Sequence, residues 1–339
     1  MIGPLPDNVR TADATKMKVS IYVGGLIGLG LLIGIAVHTN LSAMAHVLRL
    51  GGLGLLWVIP YRASFFLLYA IGWLALLRPN HAARRAGLAY FFWTTAVRDA
   101  VDRLLPVASV GGSLVGVRML RWRGIGGAPA AASVIIEIFL TLIVVYLFTA
   151  MGLMLLAGYG THNDEFRRVL TVFLLSLPIP IIVLMLLRNG AVLERLKSFM
   201  HTVAGETAVS RGTASLDQEI RASLHRRRGL LVAGSLQLVA FFSGSLEIWF
   251  ALRLFEHPIG MDAALVLESM IQAVRHIAFI IPGGLGVQEA GLIIFGHIVG
   301  IDSEMALAVA MVKRMREVIW GVPFLLSWQW AEGRRLRAT

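Results

Sequence analysis

Apolar residues fall into long, nearly unbroken runs along this chain, the pattern of helices surrounded by apolar material on every side. Residues 19–37, 53–77, 129–157, 168–187, 229–252 and 304–328 form six such runs. Each approaches or exceeds the roughly 20 residues that carry an α-helix across about 30 Å of hydrocarbon. Six transmembrane helices are therefore expected. The stretch 41–52 reads as a short interfacial helix, because Arg49 is closely followed by the Gly51-Gly52 break. Residues 1–15 are polar with mixed charge, and no small-residue cleavage motif closes the first run before His38. That run is expected to be a retained helix and not a signal peptide.

Two regions depart from the pattern. In 82–123 an aromatic segment carries Arg98, Asp99, Asp102 and Arg103, then breaks at Pro106 and Gly111-Gly112. A short stretch with Arg118, Arg121 and Arg123 follows. In 262–300 a segment bearing Glu268, Gln272 and Arg275 breaks at Pro282-Gly283-Gly284, and a short amphipathic stretch with Gln288 and Glu289 follows. Proline removes a backbone donor and obstructs the preceding turn, while paired glycines allow close or left-handed backbone. Each region reads as two short helices joined by a turn inside the membrane, its polar backbone sheltered by protein or water. The spacing Arg98–Pro106–Gly111-Gly112 loosely repeats in Arg275–Pro282–Gly283-Gly284. It hints at two repeats of opposite orientation, a common basis of alternating access. The expected fold is an all-α polytopic membrane protein with about six full transmembrane helices and two re-entrant helical hairpins.

Composition sharpens this. Of 339 residues, 57% are hydrophobic and 15% are charged, against about 25% charged in an ordinary soluble chain. Mean hydropathy is +0.75. Cysteine is absent, which excludes disulfides, thiolate metal sites and cysteine nucleophiles. A net charge of +11 would suggest nucleic acid in a soluble protein. Here the basic residues cluster between apolar runs, as on a cytoplasmic membrane face, and no nucleic-acid partner is expected.

With the N-terminus in the cytoplasm, the cytoplasmic side receives Arg78, Arg84 and Arg85, the Arg121/Arg123 turn, the loop 188–228 and the tail Arg334-Arg335-Leu336-Arg337. The other side receives Asp164-Glu165, Glu256-His257 and the turn around Asp302 and Glu304. Positive charge accumulates inside. Reading both broken regions as full double crossings would give the same parity. The layout is then a cytoplasmic segment 1–17, one transmembrane domain 18–328, and a basic cytoplasmic tail 329–339, with both termini inside.

Charges within apolar runs cost about 2.5–3.5 kcal/mol each near the bilayer centre on insertion scales, so they should face protein or a wet cavity. Glu268, Gln272 and Arg275 share one side of a helix. There Arg275 could take a lipid phosphate while Glu268 holds its side chain or exchanges protons, or the group could be an ion pair that fixes packing. Arg98 with Asp102 and Asp99 with Arg103 are four apart, suited to mutual neutralisation along a helix; the group could also line a polar cavity, with Arg98 and Asp102 as lipid-binding candidates, or form a cytoplasm-facing collar. Arg118 is a further phosphate candidate. Gln288 and Glu289 open the short stretch after the second glycine pair, where early amides favour an anion. Lys313 or Arg314 can pair with Glu317, and Arg316 could snorkel to the boundary. Glu137 and Glu247 are lone carboxylates that could partner this cluster or carry protons, with Glu317 as a third coupling candidate.

Other chemistry finds little support. No His-Glu-x-x-His pattern is present, no compact ligand set stands out, and the glycine-rich stretches lack nucleotide-binding context, so no metal or cofactor is expected. The longest polar stretch, 188–228, is too short for a conventional enzyme domain. Its arginines suit a helix on an anionic membrane surface or a solvated positive loop.

The motif Ile281-Pro-Gly-Gly-Leu-Gly-Val-Gln-Glu-Ala-Gly291, preceded by Glu268-Ser-Met-Ile-Gln-Ala-Val-Arg275, resembles the flippase-like transmembrane region of lysylphosphatidylglycerol synthases. Leu105-Pro-Val-Ala-Ser-Val-Gly-Gly112 and Lys313-Arg-Met-Arg-Glu317 extend the likeness over most of 18–328. Within that group the chain is most similar to stand-alone membrane proteins associated with hopanoid biosynthesis. The resemblance implies a bacterial inner-membrane protein that moves an amphiphilic lipid between leaflets. It places Arg118, Glu268, Arg275, Gln288, Glu289 and Arg314 beside the lipid path. Membrane lipids are the implied partners, with hopanoid-biosynthesis or lipid-transport proteins beside them. Lysyl-lipid synthesis, the work of the family's separate aminoacyl-transfer domain, is not expected. A scaffold for hopanoid-producing enzymes and a membrane-embedded lipid-modifying enzyme are the rival expectations.

Overall fold

The computed structural model describes residues 49, 51–77, 80–105, 111–159, 164–179, 182, 185, 206–278 and 286–338. The first expected span, 19–37, most of the expected interfacial stretch 41–52, and the turns at Pro106 and at Pro282-Gly283-Gly284 lie outside them, as do 188–205 of the basic loop. The described residues form ten α-helices and no strand. A short 3-10 turn, Gly52–Trp57, leads into α1, Val58–Leu76. Then come α2, His81–Leu104, α3, Gly111–Trp122, and α4, Gly127–Leu156. After α5, Asp164–Ser176, and α6, Glu206–His225, follow α7, Arg227–Leu254, and α8, Met261–Ile277. The chain ends with α9, Val287–Ile298, and α10, Ser303–Ala338.

Among the described residues three segments are long and apolar enough to cross a membrane, Gly52–Leu76, Gly127–Tyr159 and Arg227–Leu254. They coincide with three expected runs to within two residues. The protein is an all-α polytopic membrane protein. The helix α10 starts where expected but runs on to Ala338, so the basic tail continues the same helix. Of the expected span 168–187, α5 covers the first half, beginning four residues earlier than the apolar run. It leans on the middle of α4, where Tyr146 donates to the Ser176 carbonyl at 2.9 Å. In the basic loop, α6 packs along α4, burying Ile220 and leaving Arg221 exposed.

The helices make two similar units, α1–α4 and α7–α10. Each is a helix, a helix, a return helix of 12 residues, and a long helix. The units run in opposite directions. The N-terminal part of α1 meets the middle of α7, where Tyr61 donates to the Ser243 carbonyl at 2.8 Å, whereas Gly72 lies against Ala233 near the start of α7. The pair is therefore antiparallel. So is α2 with α10, from Trp93 on Ser327 at 2.9 Å to Arg103 on Glu317 at 2.5 Å. Its counterpart, α4 with α8, is antiparallel too, from Gly152 on Ser269 to Tyr159 on Asp262 at 2.5 Å.

Each α2–α3 and α8–α9 pair starts and finishes on one face. At the first, the Tyr90 hydroxyl donates to the Met119 carbonyl at 2.6 Å, and Arg335 at the end of α10 donates to the Trp122 carbonyl at 3.3 Å. The inner end, Leu104, abuts Gly321, halfway along α10. The second pair opens beside Tyr159, on the opposite face, and its inner end brings the His276 ring to 6.3 Å from Phe241, halfway along α7. A return helix of 12 residues is about 18 Å long, short of a ~30 Å hydrocarbon layer. The two pairs open toward opposite faces.

Local sequence explains how the hairpins are cut. Asn80 caps α2 by accepting from the Ala82 and Ala83 amides at 2.9 and 3.2 Å, which fixes its start. Gly111-Gly112 lies at the break that the sequence suggests and opens α3. A side chain at Gly112 would strike the Arg98 carbonyl and the Asp102 carboxylate, so only glycine allows the return helix to begin there.

On the face where the first hairpin opens, Arg84, Arg85, Arg121, Arg123, Arg226–Arg228, Arg334, Arg335 and Arg337 are all exposed. The opposite face exposes Glu256, Asp262, Asp302 and Glu304. The chain has no native cysteine, so single cysteines map the faces directly. In sealed vesicles Arg84→Cys, Arg121→Cys and Arg334→Cys should react with an impermeant maleimide from one side, and Glu256→Cys and Asp302→Cys from the other. Labelling of Arg84→Cys and Arg121→Cys from different sides would make the first hairpin a full crossing.

Candidate functional site

Where the inner ends of both helix pairs meet α10, one turn of that helix supplies Lys313, Arg314, Arg316 and Glu317, all buried. At about 100° per residue these side chains fan over roughly 160° of the helix circumference. Each reaches a different helix. Lys313 Nζ donates to Glu268 of α8 at 2.6 Å. Arg314 Nε donates to Glu289 of α9 at 2.9 Å, and Arg316 pairs with Glu247 of α7. Glu317 accepts from Arg103 of α2 at 2.5 Å.

From Arg103 the network continues outward. Its Nε donates to Asp99 at 2.7 Å, and Asp99 also accepts from Arg62 of α1 at 3.2 Å. Glu317 further holds Arg314 at 3.1 Å. Alternating charges thus link α1, α2, α10 and α9 in one chain, and the Arg62 guanidinium lies over Phe65 at 3.7 Å. A second pair, Arg98 with Glu137 of α4 at 2.6 Å, stands apart, with Arg98 over Trp73 at 4.3 Å.

The two units carry this pattern in mirrored polarity. Glu137 is the eleventh residue of α4, and Lys313 the eleventh of α10. Each pairs with the inward helix of its own hairpin, Glu137 with Arg98 and Lys313 with Glu268.

Several expected pairings are replaced. Arg98 turns from Asp102 to Glu137, because the return helix lies against Asp102 and the Gly112 amide donates to it at 2.7 Å. Asp99 and Arg103 do pair. Glu268 holds Lys313 and Gln272, the latter at 2.7 Å, and not Arg275. Lys313 is thereby drawn from Glu317, which keeps Arg314. Arg316 does not snorkel but is buried on Glu247, since α10 is surrounded by protein at this depth. Arg118 lies away from the cluster, 56% exposed, and pairs with Glu332. Gln288 is 1% exposed, and among the described residues its Oε1 and one oxygen of Glu289 have no hydrogen-bond partner. Arg275 is half-buried in the field of Arg103, Glu317, Asp99 and Arg314.

Arg62 escaped sequence reasoning, although its position inside an apolar run was a usable signal. Asp99, Arg103, Lys313 and Arg316 stand out in the sequence as charges, but only the tertiary pairing puts them at the centre.

Buried ion clusters between the inner ends of two oppositely oriented helix pairs define a class of polytopic membrane protein with a polar interior. The chain belongs to the family described as Lysylphosphatidylglycerol synthase TM region, which matches residues 21–324. It is a membrane protein of lipid metabolism or transport. No curated protein and no solved structure matches the chain.

Removing one partner of a buried pair leaves a charge uncompensated, at about 3–5 kcal/mol. Lys313→Met should therefore lower the thermal stability of the detergent-solubilised protein strongly, while Lys313→Met with Glu268→Gln recovers most of the loss. Equal destabilisation by the single and double variants would contradict the pairing.

Proposed function

We propose that the protein moves an amphiphilic lipid, a phospholipid or a hopanoid, between the leaflets of a bacterial inner membrane. The observation that carries this reading is the buried charge cluster at the meeting point of two oppositely oriented hairpins. A headgroup crossing hydrocarbon must exchange its water for other polar partners. A polar cluster at mid-depth offers them, while the acyl or polycyclic tail stays in lipid.

Inverted units supply the alternation. In one state the end of the first hairpin rests on α10 and the Arg103–Glu317 pair is closed. Loosening that contact opens the cluster toward one face, and loosening the equivalent α4–α8 contact opens it toward the other. The arginine-rich face is cytoplasmic on the positive-inside rule. The carboxylates Glu137, Glu247 and Glu317 provide groups through which a proton gradient could be coupled.

Proteoliposomes holding a fluorescent lipid in both leaflets test this by quenching the outer leaflet. Wild-type protein should expose the inner pool, and Glu317→Gln should slow exposure by about tenfold or more while eluting as folded protein. No protein-dependent movement of any phospholipid or hopanoid, or full activity in Glu317→Gln, would overturn the reading.

A further inference from the structure

Asp102 stands apart from the other interior carboxylates. Glu137 is held by Arg98, Glu247 by Arg316, Glu268 by Lys313, Glu289 by Arg314, and both Asp99 and Glu317 by Arg103. Among the described residues no cation pairs with Asp102, which is half-buried and accepts one hydrogen bond, from the Gly112 amide at 2.7 Å. Arg98, Asp99 and Arg103 act on it from its own helix, but both arginines are committed to other carboxylates. The neighbouring elements offer it no free cation either. Arg62 of α1 is on Asp99, Glu137 of α4 is on Arg98, and Glu317 of α10 is on Arg103. The return helix α3 brings its opening amide, while its arginines, Arg118 and Arg121, lie in its second half. Arg275 of α8 offsets the charge of Asp102 in the interior as a whole, without an ion pair between them among the described residues.

A carboxylate clamped by a guanidinium stays ionised, whereas one withdrawn from water without a cation takes up a proton readily. What keeps Asp102 ionised is the Gly112 amide and the positive end of α3 behind it. The same contact holds the return helix in place. The approach is so close that a side chain at Gly112 would strike the Asp102 carboxylate. Proton and return helix therefore compete for one group. With α3 seated, the anion is favoured; with α3 displaced, the amide and the dipole are lost and the neutral acid is favoured. By linkage, a proton that prefers the displaced form also shifts the protein toward it.

We propose that Asp102 is a proton-operated switch for the first helix pair. A proton taken from water converts its carboxylate to the neutral acid, weakens the bond to the Gly112 amide and loosens α3 from α2. Return of the proton to water restores the contact. This inference rests on the transport reading above and deepens it, by naming the interior carboxylate that is free to exchange a proton as lipid passes. The device belongs to one unit alone. Asp102 lies two residues before the end of α2, and the matching place in α8 holds Arg275, which keeps its proton.

The test is hydrogen–deuterium exchange of the full chain in neutral detergent, read on the segment that opens α3 and corrected for the intrinsic pH dependence of amide exchange. Corrected wild-type exchange there should be about tenfold or more faster at about pH 5 than at about pH 8. Asp102→Asn, neutral at every pH, should exchange at one corrected rate across that range. His276→Gln, which removes the imidazole at the inner end of α8, should keep the wild-type profile. A flat wild-type profile overturns the switch, whether or not either variant folds. A wild-type profile retained in Asp102→Asn also overturns it, by giving the titration to another group. In proteoliposomes an imposed pH gradient should change the rate of wild-type lipid movement and leave that of Asp102→Asn unaltered. Equal wild-type rates with and without the gradient overturn the coupling and spare the transport reading. An exchange profile that depends on Asp102, with no movement of any lipid, does the reverse.

Discussion

One turn of α10 organises the membrane interior. Lys313, Arg314, Arg316 and Glu317 each reach a different helix, so four helices are held at one depth. In lipid there is little hydrophobic gain from packing one apolar helix on another, and polar contacts carry more of the specificity. A charge left alone there is expensive, which makes the set of partners a strong constraint. Helices α2, α7, α8 and α9 have few ways to arrange themselves around α10 that satisfy every charge.

The same turn explains why the hairpins stop where they do. Arg103 and Leu104 end α2 against Glu317 and Gly321, and α9 starts where Glu289 meets Arg314. Non-helical backbone at membrane depth is tolerated only inside protein or beside water. The hairpin ends therefore need a polar, protein-lined mid-plane, and the cluster supplies one. A shared polar centre between two opposed units is also the feature that lipid passage would require.

Much of this was legible in the sequence. Long apolar runs located α1, α4 and α7 closely, because a span is defined by length and hydropathy. The interruptions at 82–123 and 262–300 marked the helix pairs α2–α3 and α8–α9, since proline and paired glycines end one helix and open the next. Pair identities were hidden. Spacing reveals i,i+4 partners such as Asp99–Arg103, but Arg103 and Glu317 lie 214 residues apart. It also favoured Arg98 with Asp102, where the fold gives Arg98 to Glu137 and Asp102 to a backbone amide. The antiparallel relation of the two units was only a hint from loose motif spacing. The direction of α1 against α7 makes it plain.

The most direct measurement locks the first hairpin to α10. Leu104→Cys with Gly321→Cys places two thiols where the hairpin end abuts the helix, in a chain with no other cysteine. If alternation requires that contact to open, bridging the pair stops lipid movement in proteoliposomes and reduction restores it. A bridged protein that moves lipid as fast as the reduced one would contradict transport through the space between the hairpins.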